Sequence, residues 1–153
     1  LAGRDLEVLV EPGRALVAHA GALVTTVLRL KRNGGRQYCV VDAGMNDLIR
    51  PALYDAHMDI VNCHMLEGEP EVMDVVGPVC ESDDFLGRGR RLTVRGGNVL
   101  AVLGAGAYGT SMASRYNSRR LCAVLMVGGD KVRQVRRREV FEAMWNDETF
   151  FQE

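Results

Sequence analysis

The sequence predicts a mainly β fold, an antiparallel sandwich or barrel built from short strands and tight turns. Residues 24–31 are rich in β-branched side chains and partly alternate between apolar and polar, which is typical of a strand. Asn33-Gly34-Gly35 follows directly and is a strong hairpin signal. The later apolar segments are also short and are mostly bounded by Gly, Pro or Asp, so we expect the same architecture along most of the chain.

Composition limits the possible classes of protein. The 153 residues suffice for one domain with a substantial core, and the shares of hydrophobic residues (47%) and charged residues (25%) are those of an ordinary globular protein. The chain contains three clusters of basic residues, although its net charge is −1. A nucleic-acid-binding surface needs a net positive charge as well as such clusters. Every apolar run is shorter than the roughly 18 residues of a membrane-spanning helix. We therefore expect neither a nucleic acid nor a membrane as partner.

The first twenty residues resemble a single strand-and-helix unit. Residues 6–10 predict a short buried strand, which Glu11-Pro12-Gly13-Arg14 ends because proline cannot donate to a ladder. Residues 15–20 predict a short helix that ends at Gly21. A strand, a glycine turn and the start of a helix together favour an anion, especially a phosphate, near Gly13.

The rest of the chain predicts further strands and two short helical segments. In residues 50–54, Arg50 and Tyr54 are four apart, so a helical turn would place both side chains on one face. Residues 139–145 predict a short closing helix. The strands are predicted at residues 24–31, 37–42, 57–66, 71–76, 91–94, 99–103 and 121–127.

Residues 77–84, the sequence Gly-Pro-Val-Cys-Glu-Ser-Asp-Asp, place the thiol of Cys80 beside the carboxylate of Glu81. Pro78 and the Ser-Asp-Asp run favour turns over a regular strand or helix, so we expect a loop. Loops on a rigid scaffold often carry chemistry, and this one is a candidate catalytic loop.

The four cysteines and three histidines show no metal-ligand or redox spacing. A metal site is therefore not expected, and the default setting for such a chain is the reducing cytoplasm.

A competing motif follows the predicted strand 99–103. Gly104, Gly106 and Gly109 form G-x-G-x-x-G, the pattern of a dinucleotide-binding fingerprint, and Asp130 lies near the end of the next apolar run. The turn-like sequence at residues 116–118 leaves little helix to pack on a parallel sheet. Nicotinamide binding at residues 104–109 stays the main alternative from another class.

Five blocks, in order, resemble the diaminopimelate decarboxylases, pyridoxal-phosphate-dependent enzymes of the alanine-racemase-like fold family. The blocks are EPGR (11–14), DAGMND (42–47), RPALY (50–54), GPVCESDD (77–84) and GAYG with SMASRYN (106–117). The resemblance implies that residues 1–20 are the last strand and helix of a (β/α)8 barrel and that residues 21–153 are the C-terminal β domain.

The resemblance also implies roles for the side chains and a homodimer with shared active sites. Cys80 would return a proton to the substrate's Cα, and the loop that carries it would reach into the partner subunit. The cofactor phosphate would be bound around Glu11, Gly13, Arg14 and Tyr108. The substrate, meso-diaminopimelate, would be held by Arg14, Arg50, Tyr54, Glu81 and Tyr108, on the way to L-lysine in the last step of lysine biosynthesis.

One departure from the family pattern concerns the cofactor's covalent anchor. The lysines here are Lys31 and Lys131, and neither stands in a cofactor-lysine motif. Without that anchor the chain is expected to be inactive alone. The chain also begins with Leu rather than Met, so we expect a piece of a longer protein. Related decarboxylases of ornithine, arginine or carboxynorspermidine remain an alternative.

Overall fold

The computed structural model describes residues 3–149 and residue 151. Its regular elements are mostly strands, as predicted. The strands are β1 (Ala22–Asn33), β2 (Arg36–Val41), β3 (Ile60–Asn62), β4 (Glu71–Val76), β5 (Phe85–Leu92), β6 (Val99–Leu103), β7 (Val124–Gly128) and β8 (Lys131–Arg136). The α-helices are α1 (Gly13–Val17) and α2 (Arg50–Tyr54), and 3-10 helices span Ala18–Ala20, Tyr116–Ser118 and Phe141–Met144.

Six strands form one sheet in the order β3-β6-β1-β2-β4-β5, and β7 pairs with β8 in a separate hairpin. The six-stranded sheet curls until its edges approach, since a Cβ on Gly87 of β5 would lie 2.9 Å from the Ile60 side chain on β3. The sheet is therefore a nearly closed barrel. This confirms the mainly β fold class.

The β1–β2 hairpin forms as predicted. Asn33 pairs with Arg36, and Gly34 and Gly35 adopt φ values of 56° and 78° between them. Positive φ at both central residues is the type I′ geometry that matches the twist of paired strands. A register shift between Val27 and Arg29 lets the first half of β1 pair with β6 and the second half with β2.

One pairing departs from the antiparallel prediction. β2 runs parallel to β4, with Cys39 opposite Val75. Parallel neighbours need a crossover of a dozen residues or more, and here α2 and β3 lie within the connection. The turn residues at 42–47 were correctly predicted to end β2, but they do not determine the direction of the next paired strand.

The predicted buried strand at residues 6–10 is wrong for this structure. These residues pair with no described strand, and their side chains are exposed, with Leu9 at 83%. A strand is stabilised by a neighbour's backbone groups, and an apolar run alone does not supply one. The following helix is confirmed, although it starts at Gly13 and its last turn, Ala18–Ala20, is 3-10.

Other boundaries also need correction. The strand predicted at 57–66 shortens to β3, the one predicted at 91–94 is the end of the longer β5, and β7 starts three residues later than predicted. β8 was not predicted, because its charged residues hide the alternation. The closing helix is a single 3-10 turn, Phe141–Met144, rather than an amphipathic α-helix. None of the helices in residues 3–149 has the length and apolar character needed to cross a membrane.

The core fills the inside of the curled sheet. Leu48, Leu86, Leu100 and Val102 have no exposed surface, and the buried cluster draws on β1 through β6 and the loop after β2. The neighbouring loops at residues 42–47 and 77–84 thus rest on a packed scaffold.

Leu100→Ala should lower the free energy of unfolding by about 2–5 kcal/mol, because it opens a cavity under the central strand β6. Urea denaturation measures the change. The matched substitution Leu28→Ala, at a leucine that is 55% exposed on β1, should change the free energy of unfolding by about 0.5 kcal/mol or less. Equal losses in the two variants would show that the core is placed wrongly.

Candidate active site

Arg50 lies between two tyrosine rings. Helix α2 carries Pro51 in its first turn and ends at Asp55, which adopts a left-handed φ of 50°. Its single turn aligns Arg50 and Tyr54, as predicted, with the guanidinium carbon 4.9 Å from the Tyr54 ring centre. The same carbon lies 5.4 Å from the ring centre of Tyr108. The Nε atom of Arg50 is buried without a hydrogen-bond partner, so a buried donor is left for a ligand.

Gly13, at the start of α1, lies beside this group, and Arg14 follows it in the chain. A Cβ on Gly13 would lie 3.8 Å from the Tyr108 hydroxyl, so the glycine leaves the space before that hydroxyl open. The Nη1 atom of Arg14 is likewise buried and unpartnered. We call Gly13, Arg14, Arg50, Tyr54 and Tyr108 the arginine cluster. Glu11 accepts the Gly13 N–H through its backbone carbonyl at 2.9 Å, while its side chain faces solvent.

The glycines at 104–109 bring Tyr108 into place. Gly106 donates its N–H to the Ala18 carbonyl at 3.0 Å, and a Cβ on Gly106 would lie 2.8 Å from the backbone nitrogen of Gly21. The turn therefore packs against the end of the first helix. Tyr108 itself adopts a φ of 60°, an unusual conformation for a bulky residue that often marks a functional position.

The same geometry excludes the dinucleotide-binding alternative. β6 is antiparallel to both of its neighbours, β1 and β3, and the chain after it turns back without a packed crossover helix. A dinucleotide site needs a parallel strand that leads into a helix whose start binds the pyrophosphate. Gly106 and Gly109 serve close backbone packing instead, and Gly104 turns the chain at a φ of 72°.

Cys80 and Glu81 lie on a loop, as predicted, and both are exposed. We call residues 77–84 the thiol loop. The Tyr116 hydroxyl donates a hydrogen bond to Glu81 Oε1, and this bond raises the pKa of Tyr116 above its ordinary value. Sequence reasoning missed Tyr116 as a partner of Glu81, because 35 residues separate the two and no spacing rule connects them.

The predicted site residues therefore fall into two groups. Arg50, Tyr54 and Tyr108 lie together at α2, with Gly13 beside the Tyr108 hydroxyl and Arg14 next to Gly13 in the chain, whereas Glu81 and its neighbour Cys80 lie by Tyr116. Within the described residues, no hydrogen bond, ion pair or cation–π contact joins the arginine cluster directly to Cys80 or Glu81. Nor does the described chain bring three or more His, Cys, Asp or Glu side chains together as a metal site.

The cysteines differ strongly in accessibility. All four are free thiols; Cys39 is buried, whereas Cys63 and Cys80 are exposed. Burial raises the pKa of Cys39 to about 11, so its reactive thiolate is scarce at neutral pH. We expect iodoacetamide at pH 8 to modify Cys63 in the folded protein and Cys39 only after denaturation, as measured by peptide mass spectrometry. Rapid native modification of Cys39 would contradict its place in the core.

Comparison with known proteins places this geometry in a family. Residues 15–106 match the family described as pyridoxal-dependent decarboxylase, C-terminal sheet domain. Diaminopimelate decarboxylase from Haemophilus influenzae is 51% identical over 142 residues, which are 92% of this chain and 34% of that protein. The enzyme of the same name from Pseudomonas fluorescens is 47% identical over 153 residues, which are 100% of this chain and 37% of that protein.

Solved structures agree with these matches. AQ1208 from Aquifex aeolicus superposes with a TM-score of 0.87 at 43% identity, covering 90% of this chain and 34% of that one. Diaminopimelate decarboxylase from Helicobacter pylori, complexed with L-lysine, gives 0.83 at 44% identity, covering 94% of this chain and 36% of that one. The chain spans about a third of the length of the curated relatives that it matches. It belongs to the pyridoxal-dependent decarboxylase family and corresponds to the C-terminal sheet domain of its members.

Proposed function

We propose that the full-length protein is a pyridoxal-phosphate-dependent decarboxylase that converts meso-2,6-diaminopimelate to L-lysine and CO2. The observation that carries the proposal is Arg50, which lies between Tyr54 and Tyr108 with a buried, unpartnered Nε. The relatives named diaminopimelate decarboxylase and the L-lysine in the Helicobacter pylori structure support it.

The residues present suit the cofactor's phosphate. The buried Nη1 of Arg14 lacks a partner, and Gly13 leaves open space beside the Tyr108 hydroxyl. Gly13, Arg14 and Tyr108 would hold the phosphate, with Glu11 beside them. When bound, the cofactor's pyridine ring supplies a sink for the electron pair that the departing carboxylate leaves behind.

Arg50 and Arg14 suit a carboxylate that the reaction does not remove. A guanidinium pairs with a carboxylate through two parallel hydrogen bonds, and Tyr54 stacks on Arg50 and steadies it. Glu81, whose carboxylate accepts the Tyr116 hydroxyl, suits the distal ammonium group. A diamino-diacid satisfies both partners, whereas ornithine would leave the arginines unpaired, and polar sites reject such analogues strongly.

Cys80 suits the return of a proton to Cα after CO2 leaves. A thiol titrates nearer neutrality than a hydroxyl, so it gives up its proton more readily. The exposure of Cys80 lets the resulting thiolate recover a proton from solvent once product leaves.

A homodimer explains the two separate groups of site residues. In this arrangement the arginine cluster of one protomer faces the thiol loop of its partner. In the full-length protein, residues 1–20 would complete the cofactor-binding barrel as its last strand and helix, where residues 6–10 gain the strand partner that they lack here, and residues 21–153 form the β domain. Residues 1, 2, 150, 152 and 153 lie outside the described residues.

The four free thiols suit the reducing environment of the cytoplasm.

The test is the full-length protein supplied with pyridoxal phosphate and assayed separately with meso-diaminopimelate, ornithine and arginine. We expect stoichiometric CO2 and L-lysine from meso-diaminopimelate and at least about 10⁴-fold lower kcat/KM for the others. A preference for ornithine or arginine would assign the protein to one of the alternative decarboxylases.

A further inference from the structure

The thiol loop needs an anchor, because its backbone belongs to no sheet. The side chain of Asp84, which is 4% exposed, provides one from inside the loop. Its Oδ2 accepts the N–H of Val79 at 2.6 Å, directly before Cys80. Its Oδ1 accepts the N–H of Met45 at 2.6 Å, in the loop after β2. A backbone hydrogen bond from the Gly77 N–H to the Asp84 carbonyl at 3.0 Å closes the thiol loop, and the carboxylate fixes Val79 within it and joins it to a second loop.

Two glycines make room for this carboxylate. A Cβ on Gly44 would lie 3.1 Å from both carboxylate oxygens of Asp84. A Cβ on Gly77 would lie 2.6 Å from the Gly44 Cα. The packing leaves little freedom for Asp84 to move, so the position of Val79 is tightly defined.

Arg119 joins this second loop, the loop after β2, to the segment that follows β6. Its Nε donates to Asn46 Oδ1 at 2.8 Å, and its Nη2 donates to the Asp42 carbonyl at 2.5 Å. The Asn46 carbonyl also accepts the Ser114 N–H at 2.9 Å. These bonds tie the loop after β2 to the segment that carries Tyr116.

The Tyr116 hydroxyl then returns to the thiol loop through its hydrogen bond to Glu81. A closed set of contacts thus flanks Cys80 on both sides. Burial raises the pKa of Asp84, whereas the two backbone N–H groups and the charge of Arg119 favour its ionised form. Both carboxylate oxygens of Asp84 accept a backbone N–H at 2.6 Å, and these two bonds carry the anchor.

We propose that Asp84 and Arg119 are positioning residues: Asp84 sets the backbone that presents Cys80, and Arg119 sets Tyr116 against Glu81. The catalytic consequence rests on the proposed function. Misplacing a reacting group by about 1 Å can lower a rate by about 100-fold.

The first test is Asp84→Asn in the full-length holoenzyme. We expect kcat for meso-diaminopimelate to fall about 10- to 100-fold while KM stays within about threefold, because the thiol is misplaced while Tyr116 still holds Glu81 and the arginine cluster is untouched. The control is Asp83→Asn. The wild-type Asp83 carboxylate is 70% exposed and pairs with Arg88, so its replacement should leave kcat within about twofold of the wild-type value. A wild-type kcat in Asp84→Asn would overturn the assignment of Asp84.

Arg119→Lys provides an independent variant if Asp84→Asn does not fold. In the wild-type protein the Arg119 guanidinium lies 3.7 Å from the Asp47 carboxylate. Lysine keeps a positive charge near Asp47 but lacks the planar guanidinium that hydrogen-bonds to both Asn46 and Asp42. We expect Arg119→Lys to raise KM about five- to tenfold and Tyr116→Phe to raise it by a similar factor. The double variant should have the same KM as either single variant, because both changes release Glu81. An unchanged KM in Arg119→Lys, or additive effects, would overturn the assignment of Arg119.

Backbone hydrogen exchange separates this proposal from the proposed function. In Asp84→Asn the amides of Met45 and Val79 should exchange at least about tenfold faster while that of Leu100 is unchanged. This holds whether or not the protein decarboxylates diaminopimelate. Unchanged exchange at Met45 and Val79 would refute the anchor even if the enzyme were active.

Discussion

Cys80→Ala is expected to lower kcat for meso-diaminopimelate about 10²- to 10⁴-fold in the full-length protein, the range that general acid–base groups contribute. The Cys80 thiol is exposed, and Asp84 fixes the backbone just before it, so the substitution removes the proposed proton donor without opening a cavity. Lysine formation in single-turnover and steady-state assays measures the loss. Pyridoxal phosphate affinity should be unchanged, because the arginine cluster does not include Cys80.

Cys63→Ala is the matched control for this substitution. Cys63 is also an exposed free thiol, but it lies beyond β3, outside both groups of site residues. Its replacement should leave kcat within about twofold of wild type. Near-normal turnover in Cys80→Ala would count against the proton-donor role and leave the thiol without a function.

Arg50→Ala is expected to lower kcat/KM for meso-diaminopimelate about 10²- to 10³-fold, equivalent to roughly 3–4 kcal/mol, since a substrate carboxylate would be left unpaired. Arg50→Lys should recover only part of this loss, because an ammonium lacks the planar fork. The selectivity for meso-diaminopimelate over ornithine should fall in parallel.

Arg32→Ala serves as the control for Arg50. Arg32 is 73% exposed near the β1–β2 turn and pairs with Glu71, so its loss should leave kcat/KM within about twofold. If Arg50→Ala kept the wild-type preference for meso-diaminopimelate over ornithine, Arg50 would not be the carboxylate-binding residue.

Local signals in the sequence predicted the elements whose causes are local. The β1–β2 hairpin follows from two adjacent glycines, and the shared face of Arg50 and Tyr54 follows from helical spacing. The strand at 6–10 failed because pairing depends on a partner outside the segment. The parallel pairing of β2 with β4 was not predicted for the same reason, because the residues of two strands do not show in which direction a long connection brings them together.

The candidate site shows the same division. Arg14, Arg50, Tyr54, Cys80, Glu81 and Tyr108 lie in the sequence blocks that resemble a known family, and that resemblance proposed their roles. Asp84 was included in a motif only as a turn residue, yet its contact with Met45 spans 39 positions. Arg119 reaches Asp42 and Asn46 across more than 70 positions. Contacts of this range depend on the closed sheet, and the sequence alone does not specify them.

In the proposed homodimer, the arginine cluster of one protomer and the thiol loop of its partner complete one active site. Co-expression of full-length Cys80→Ala and Arg50→Ala chains with different affinity tags allows the mixed dimer to be purified. One of its two sites then carries both substitutions and the other carries neither, so we expect about half of the wild-type activity per dimer, although each parent is nearly inactive. A mixed dimer as inactive as its parents would contradict the shared site and show that each active site is built within one protomer.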